Sequence, residues 1–140
     1  MKGVDERDIE IRHLREGKTC AIRLYYKGEH VSGLWIHDLT VHFGKGVALK
    51  MGGIGGVGTK EKYRMRGFAR RVMEDSTRYM FQSGYDIAAL FGISDFYERW
   101  GYIPALPECR VYLKVRDLSP ARLRHRVEPY SDGYREAVVE

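Results

Sequence analysis

Short apolar or alternating runs, each closed by a turn, occupy the first sixty positions of the chain. IEIRHL (9–14) and TCAIRLYY (19–26) read as two strands with REGK as the turn between them. KGEH (27–30) marks a second turn ahead of VSGLWIHDLTVHF, in which Leu39, Val41 and Phe43 share one face at period two. Gly44 and Gly46 make a third turn before VALKM and a run of glycines, so the pattern predicts an antiparallel meander. From Gly67 the period changes to three and four: Ala69, Val72, Met73, Ser76 and Met80 form a small, apolar helix face, and Gly84 stands where that helix stops. YDIAALF (85–91) suits a buried strand. Ser94 is placed to cap a short helix through SDFYERW, ended by Gly101, and CRVYLKV (109–115) reads as a last strand. Beyond it the chain is polar, charged and interrupted by Pro120 and Pro129.

With 140 residues, 44% hydrophobic and 31% charged, the chain has room for one domain, expected over 1–115, followed by a polar extension over 116–140. No apolar run approaches the ~18 residues of a membrane span, and MKGVDERDIEIR lacks the apolar core of a secretory signal. The expectation is a cytoplasmic protein with no membrane partner. Cys20 and Cys109 have neither CxxC spacing nor histidines at ligand distance, which predicts buried, reduced thiols. A net charge of +5 fits nucleic acid, an acidic surface or a phosphorylated small molecule, and the position of the charge decides among them.

Gly53, Gly55 and Gly58 satisfy GxGxxG, but the dinucleotide fingerprint turns directly from strand to helix and needs an acidic strand end ~20 residues on. Here the eight residues TKEKYRMR intervene, and Glu74 and Asp75 fall within the helix. A phosphate loop of the GK[ST] type fails as well, because Gly58, Thr59 and Lys60 present its elements out of order. The glycines therefore mark a strand whose backbone is approached closely, by a ligand or by another chain segment.

The stretch that follows is more specific. Lys60, Lys62, Arg64, Arg66, Arg70 and Arg71 crowd the start of the predicted helix, with Glu61 alone opposing them locally. Unpaired amides at a helix N-terminus, with Gly67 and Ala69 leaving the backbone open, form an anion site suited to a pyrophosphate. A solvated basic face is the competing explanation.

Two motifs in order resemble the GNAT superfamily of N-acetyltransferases. Arg64, Gly67 and Ala69 match its acetyl-CoA signature, and Phe96-Tyr97-Glu98-Arg99-Trp100-Gly101-Tyr102 is similar to its Phe-Tyr-x-x-x-Gly-Phe/Tyr motif. The resemblance covers roughly residues 19 to 115. GGIGGVGT and LFGISDFYERWGYIPALPE resemble the branch of enhanced-intracellular-survival acetyltransferases and their bacterial relatives. It implies an α/β (α+β) GNAT acyl-CoA N-acyltransferase fold: a mostly antiparallel sheet of six or seven strands, splayed at the cofactor, with one long and one short helix.

The resemblance also implies acetyl-CoA as co-substrate and direct attack on it by a primary amine in a ternary complex. A backbone amide near Val57 would polarise the thioester carbonyl, with Thr59 also at the cofactor. Arg64, Met65, Arg66, Gly67, Phe68 and Ala69 would hold the pyrophosphate through main-chain donors, with Arg64, Arg66 and Arg70 adding charge. Tyr97 occupies the position of the family's general acid, and a phenol of pKa ~10 facing a thiol of ~8.5 delivers a proton when held in reach. A buried aromatic packing the short helix is the competing role for Tyr97.

Two departures stand out. Only REGK separates the first two strands, where the family inserts two helices that form much of the acceptor site, and Glu61 replaces its proline ahead of the basic loop. No general base is assigned: Glu29, His37, Asp38 and His42 all read as surface groups, and the His37/His42 pair has no third partner for a metal. A CoA-binding module without catalysis and a basic nucleic-acid-binding protein are the alternative functions. The sequence does not fix the oligomer, but an exposed sheet edge and the absent helices are compatible with a homodimer.

Overall fold

Tight turns fold residues 9–59 into a meander of four antiparallel strands in the computed structural model, which describes residues 4–44, 46–93, 95–105, 111–114, 116, 129, 131 and 133. Strand β1 (Ile9–Glu16) runs two residues beyond the predicted end, so the turn to β2 (Thr19–Tyr26) shrinks to Gly17 and Lys18. Lys27 and Gly28, both with positive φ (53° and 79°), turn β2 into β3 (Glu29–Phe43), the pairing of left-handed residues that matches the twist of a two-residue hairpin. Strand β4 (Val47–Thr59) contains every glycine of the GGIGGVGT run. Helix α1 (Phe68–Gln82) then crosses to β5 (Ile87–Leu90), which pairs parallel to β4, and the strand order is β1-β2-β3-β4-β5.

Alternation sets the two faces of the sheet. Cys20, Ile22 and Leu24 of β2, with Leu34 and Ile36 of β3 and Ile54 of β4, point to one face and are buried against Phe68, Val72, Met73 and Met80 of α1. At the top of the helix Phe68 is buried rather than Ala69, because its ring fits among those of Tyr26 and Tyr63, with centroids 5.3 and 6.2 Å away. The helix ends as expected near Gly84: Ser83 N donates to Tyr79 O (2.9 Å) and Tyr85 N to Met80 O (3.1 Å), with Gly84 left-handed. Cys20 is a free thiol in this core, while Cys109 lies outside the described residues.

Three expected elements differ. Strand β5 is half-buried, because it stands at the edge of the described sheet, and Phe91 just beyond it is almost wholly exposed. The short helix is a single 3-10 turn, Glu98–Trp100, closed by left-handed Gly101. So brief a segment holds its i→i+3 bonds, as in Gly101 N to Glu98 O at 2.9 Å, and goes no further. Ser94, its expected cap, lies outside the described residues. Residues 111–114 of the expected last strand are exposed and form no strand, which leaves five strands among the described residues rather than six or seven. No described helix is long and apolar enough to cross a membrane. The chain divides into two compact units, Met1–Pro104 and Ala105–Glu140, and all the elements above belong to the first.

Candidate functional site

Strands β4 and β5 pair over four positions, Met51↔Ile87 to Ile54↔Leu90, and there β5 ends while β4 continues for five residues, Gly55 to Thr59. The edge of β4 that faced β5 is thereby released. The opposite edge stays paired with β3, but the register slips between Gly33 and Trp35, and Gly56 takes φ 61°. This β-bulge leaves Gly56 and Val57 without ladder partners and bends the strand. Ser32 anchors the far end, donating from Oγ to Gly58 O (2.9 Å) and lying 2.8 Å from Thr59 Oγ1.

The glycines divide by what approaches them. A Cβ at Gly52 would collide with Met80 Sδ of α1, and one at Gly53 would stand 2.7 Å from Leu39, so both serve packing within the fold. At Gly56 the neighbour is Trp35, 2.9 Å away, whereas a Cβ at Gly55 or Gly58 would meet nothing closer than 3.7 Å.

After Thr59 the chain makes a 3-10 turn (Glu61–Tyr63) and enters α1 through left-handed Met65 (φ 61°) and Gly67 (φ 79°). Gly67 is the N-cap of α1, without a side-chain cap. Arg71 N donates to Gly67 O (3.2 Å), so the amides of Phe68, Ala69 and Arg70 precede the first helical bond, and a Cβ at Gly67 would meet no atom within 4 Å. The six cations are not equivalent. Glu29 accepts from Lys60 Nζ (3.0 Å), Lys62 Nζ (3.1 Å) and Tyr63 Oη (2.7 Å), and Arg71 pairs with Glu6. Tyr63, then Lys60 and Lys62, hold the Glu29 carboxyl down to about 2. Arg70 lies 3.9 Å from Glu74. Arg64 and Arg66 have no carboxylate partner among the described residues: Arg64 Nε reaches Thr59 O at 3.4 Å, and Arg66 lies 5.4 Å from the centre of the Tyr63 ring. Sequence reasoning missed Glu29 and Glu6 because no local pattern links them to a loop more than thirty residues away.

Tyr97 is half-buried ahead of the last 3-10 turn, with ring centroids 5.0 Å from Phe96, 6.0 Å from Trp100 and 6.3 Å from Tyr102. Its ring fills the space where a Cβ of Gly92 would stand. Burial pushes the Tyr102 phenol up, against a hydrogen bond with Thr77 that favours ionisation.

The face of the sheet opposite α1 holds a cleft of about 740 Å3 lined from β1, β2 and β3. His37 belongs to this face and His42 to the other, as residues of opposite parity on one strand, and the described residues contain no group of three side chains able to hold a metal.

A family model described as an acetyltransferase (GNAT) domain matches residues 5–105. No curated protein matches the chain. Among solved structures, an acetyltransferase of Trypanosoma brucei is 17% identical with a TM-score of 0.61, over 76% of this chain and 100% of that one. A glucosamine-6-phosphate N-acetyltransferase from Arabidopsis thaliana is 16% identical with a TM-score of 0.57, over 69% and 68% of the two chains. An aminoglycoside acetyltransferase from an uncultured soil metagenomic sample, in complex with trehalose, is 11% identical with a TM-score of 0.59, over 73% and 69%. Likeness at these identities carries the fold, whereas the family match runs from the first strand through the loop before α1 to the turn after Tyr97. The chain belongs to the GNAT acetyltransferase family.

Proposed function

We propose that this protein transfers the acetyl group of acetyl-CoA to a primary amine by direct attack in a ternary complex. One observation carries the reading: β4 parts from β5 at Gly55, and a short loop then delivers two cations without carboxylate partners, and three helix amides without acceptors, among the described residues. A released strand edge suits the amide-bearing arm of CoA, and the helix entrance suits its pyrophosphate. When bound, acetyl-CoA supplies the activated acetyl thioester. The amides of Phe68 and Ala69, with Met65 and Gly67 shaping the approach, bind the pyrophosphate, and Arg64, Arg66 and Arg70 add charge. On β4, Thr59 lies at the cofactor and the Val57 N–H, in the bulge, donates to the thioester carbonyl oxygen. Tyr97 holds the proton that the leaving sulfur needs.

A second reading, a CoA-binding module without catalysis, is favoured by the two-residue link between β1 and β2, which leaves no room there for acceptor-site helices. Nucleic-acid binding is less favoured, since Lys60, Lys62 and Arg71 are already paired with acids. Calorimetric titration with acetyl-CoA, followed by thiol release with a panel of amines, separates the readings. Binding with turnover supports the enzyme and binding alone the module. Absence of binding overturns both.

A further inference from the structure

The strand registers arrange the face opposite α1 into three parallel rows. Glu16, Thr19 and His37 form one, ending at Gly53; Leu14, Ala21 and Trp35 form the next, ending at Gly55; Arg12, Arg23 and Gly33 form the third, ending at Gly58. Successive rows lie two residues apart, or about 7 Å. The face thus passes from carboxylate and imidazole, across an apolar band, to guanidinium.

The charged groups in these rows differ in how far they are already satisfied. Arg12 is held by Glu10, with bonds of 2.7 and 2.9 Å, and lies over Tyr25. Arg23 has no carboxylate partner among the described residues, and its guanidinium leans into the middle row, 4.2 Å from the centre of the Trp35 ring. Glu16 likewise has no cationic partner among the described residues. His37 Nδ1 lies 3.2 Å from Thr19 Oγ1. With Nδ1 donating to that hydroxyl, Nε2 is left as an acceptor, and it stands 3.7 Å from where a Gly55 Cβ would be, at the residue where β5 has ended.

We infer that this cleft is the acceptor site, and that the acceptor is a zwitterion: a primary amine carrying a carboxylate about 7 Å away, the separation found in a dipeptide. The inference rests on the N-acetyltransferase reading for its chemistry, but the binding site stands on the rows themselves. His37 receives the amine beside the released stretch of β4, Glu16 lends its negative charge from the β1 end of the same row, Leu14, Ala21 and Trp35 cover an apolar side chain, and the Arg23 guanidinium, leaning over Trp35, takes the carboxylate. A polycation does not fit, since Glu16 is the one carboxylate of the cleft without a partner among the described residues, and the Arg23 guanidinium, though its residue stands two rows off, reaches the middle row over Trp35.

Leucyl-glycine, its C-terminal amide and spermidine are the probes, each titrated into 15N-labelled protein without acetyl-CoA. The expected result is saturable shifts at Ala21, His37 and the Trp35 indole N–H with leucyl-glycine, and binding about tenfold weaker for the amide. Glu16→Gln and Arg23→Met each weaken leucyl-glycine about tenfold, and Arg23→Gln substitutes for the latter if its spectrum loses dispersion. Shifts that map elsewhere, no saturation at millimolar dipeptide, or spermidine binding more tightly than leucyl-glycine each overturn the inference. Failure of acetyl-CoA to bind overturns the transferase reading while leaving this titration readable, and turnover of amines that is indifferent to Glu16→Gln and Arg23→Met does the reverse.

Discussion

Gly67 separates the strength of the fold from the strength of the anion site. Its φ of 79° lies in the left-handed region, where an L-residue costs about 1–2 kcal/mol relative to glycine. Gly67→Ala recovers about 0.4–1 kcal/mol by restricting the unfolded chain, and the new Cβ meets nothing within 4 Å, so no steric penalty is added. The net loss is about 1 kcal/mol, a fall in Tm of about 4–8 °C for a unit of this size. Asparagine tolerates the same backbone, so Gly67→Asn should lose about half as much. Both side chains nevertheless stand at the open mouth of the Phe68, Ala69 and Arg70 amides. Loss of one charge-assisted hydrogen bond there, about 1.5–3 kcal/mol, weakens CoA roughly ten- to a hundredfold in either variant. Thermal melts and calorimetry on the same samples provide the two readings. Affinity recovering in Gly67→Asn in step with Tm would tie the loss to backbone strain and not to the blocked amides; unchanged affinity in both would remove Gly67 from the anion site.

Tyr97→Phe should lower turnover about a hundredfold or more while CoA affinity changes little, and unchanged kcat would remove Tyr97 from the proton transfer. The Glu29 carboxyl should titrate near 2 by carbon-detected NMR rather than at its ordinary 4.5, and Tyr63→Phe should move the midpoint upward. Because the folded value is the lower one, the contribution of Glu29 to stability is complete above about 4.5 and lost as pH falls through about 2. Gly52→Ala should destabilise by about 1–3 kcal/mol in urea unfolding through its collision with Met80, whereas Gly55→Ala should lie within about 0.5 kcal/mol of the parent; equal losses would contradict the packing at Gly52.

What is legible in the chain before it folds is what repeats or sits close in sequence. The meander was legible because apolar positions recur at period two between turn residues, and α1 because Val72, Met73, Ser76 and Met80 recur at helical spacing. The Gly-rich stretch was legible as a strand, since the eight residues after Gly58 excluded a direct turn into a helix. The half-exposed state of β5 was not legible, because four apolar residues look alike in the middle of a sheet and at its edge, and only pairing tells them apart. Composition displayed six cations; only the fold brought Glu29 and Glu6 to three of them and left Arg64 and Arg66 without an acid among the described residues. Likewise, only register aligned Glu16, Trp35, His37 and Arg23 across three strands into one cleft. The order of the elements and the motif at the mouth of α1 are written in the residues alone, because both depend on neighbours along the chain. Which charges are spent, where β4 and β5 part and which side chains share a face emerge with folding, because they depend on residues tens of positions apart meeting in space.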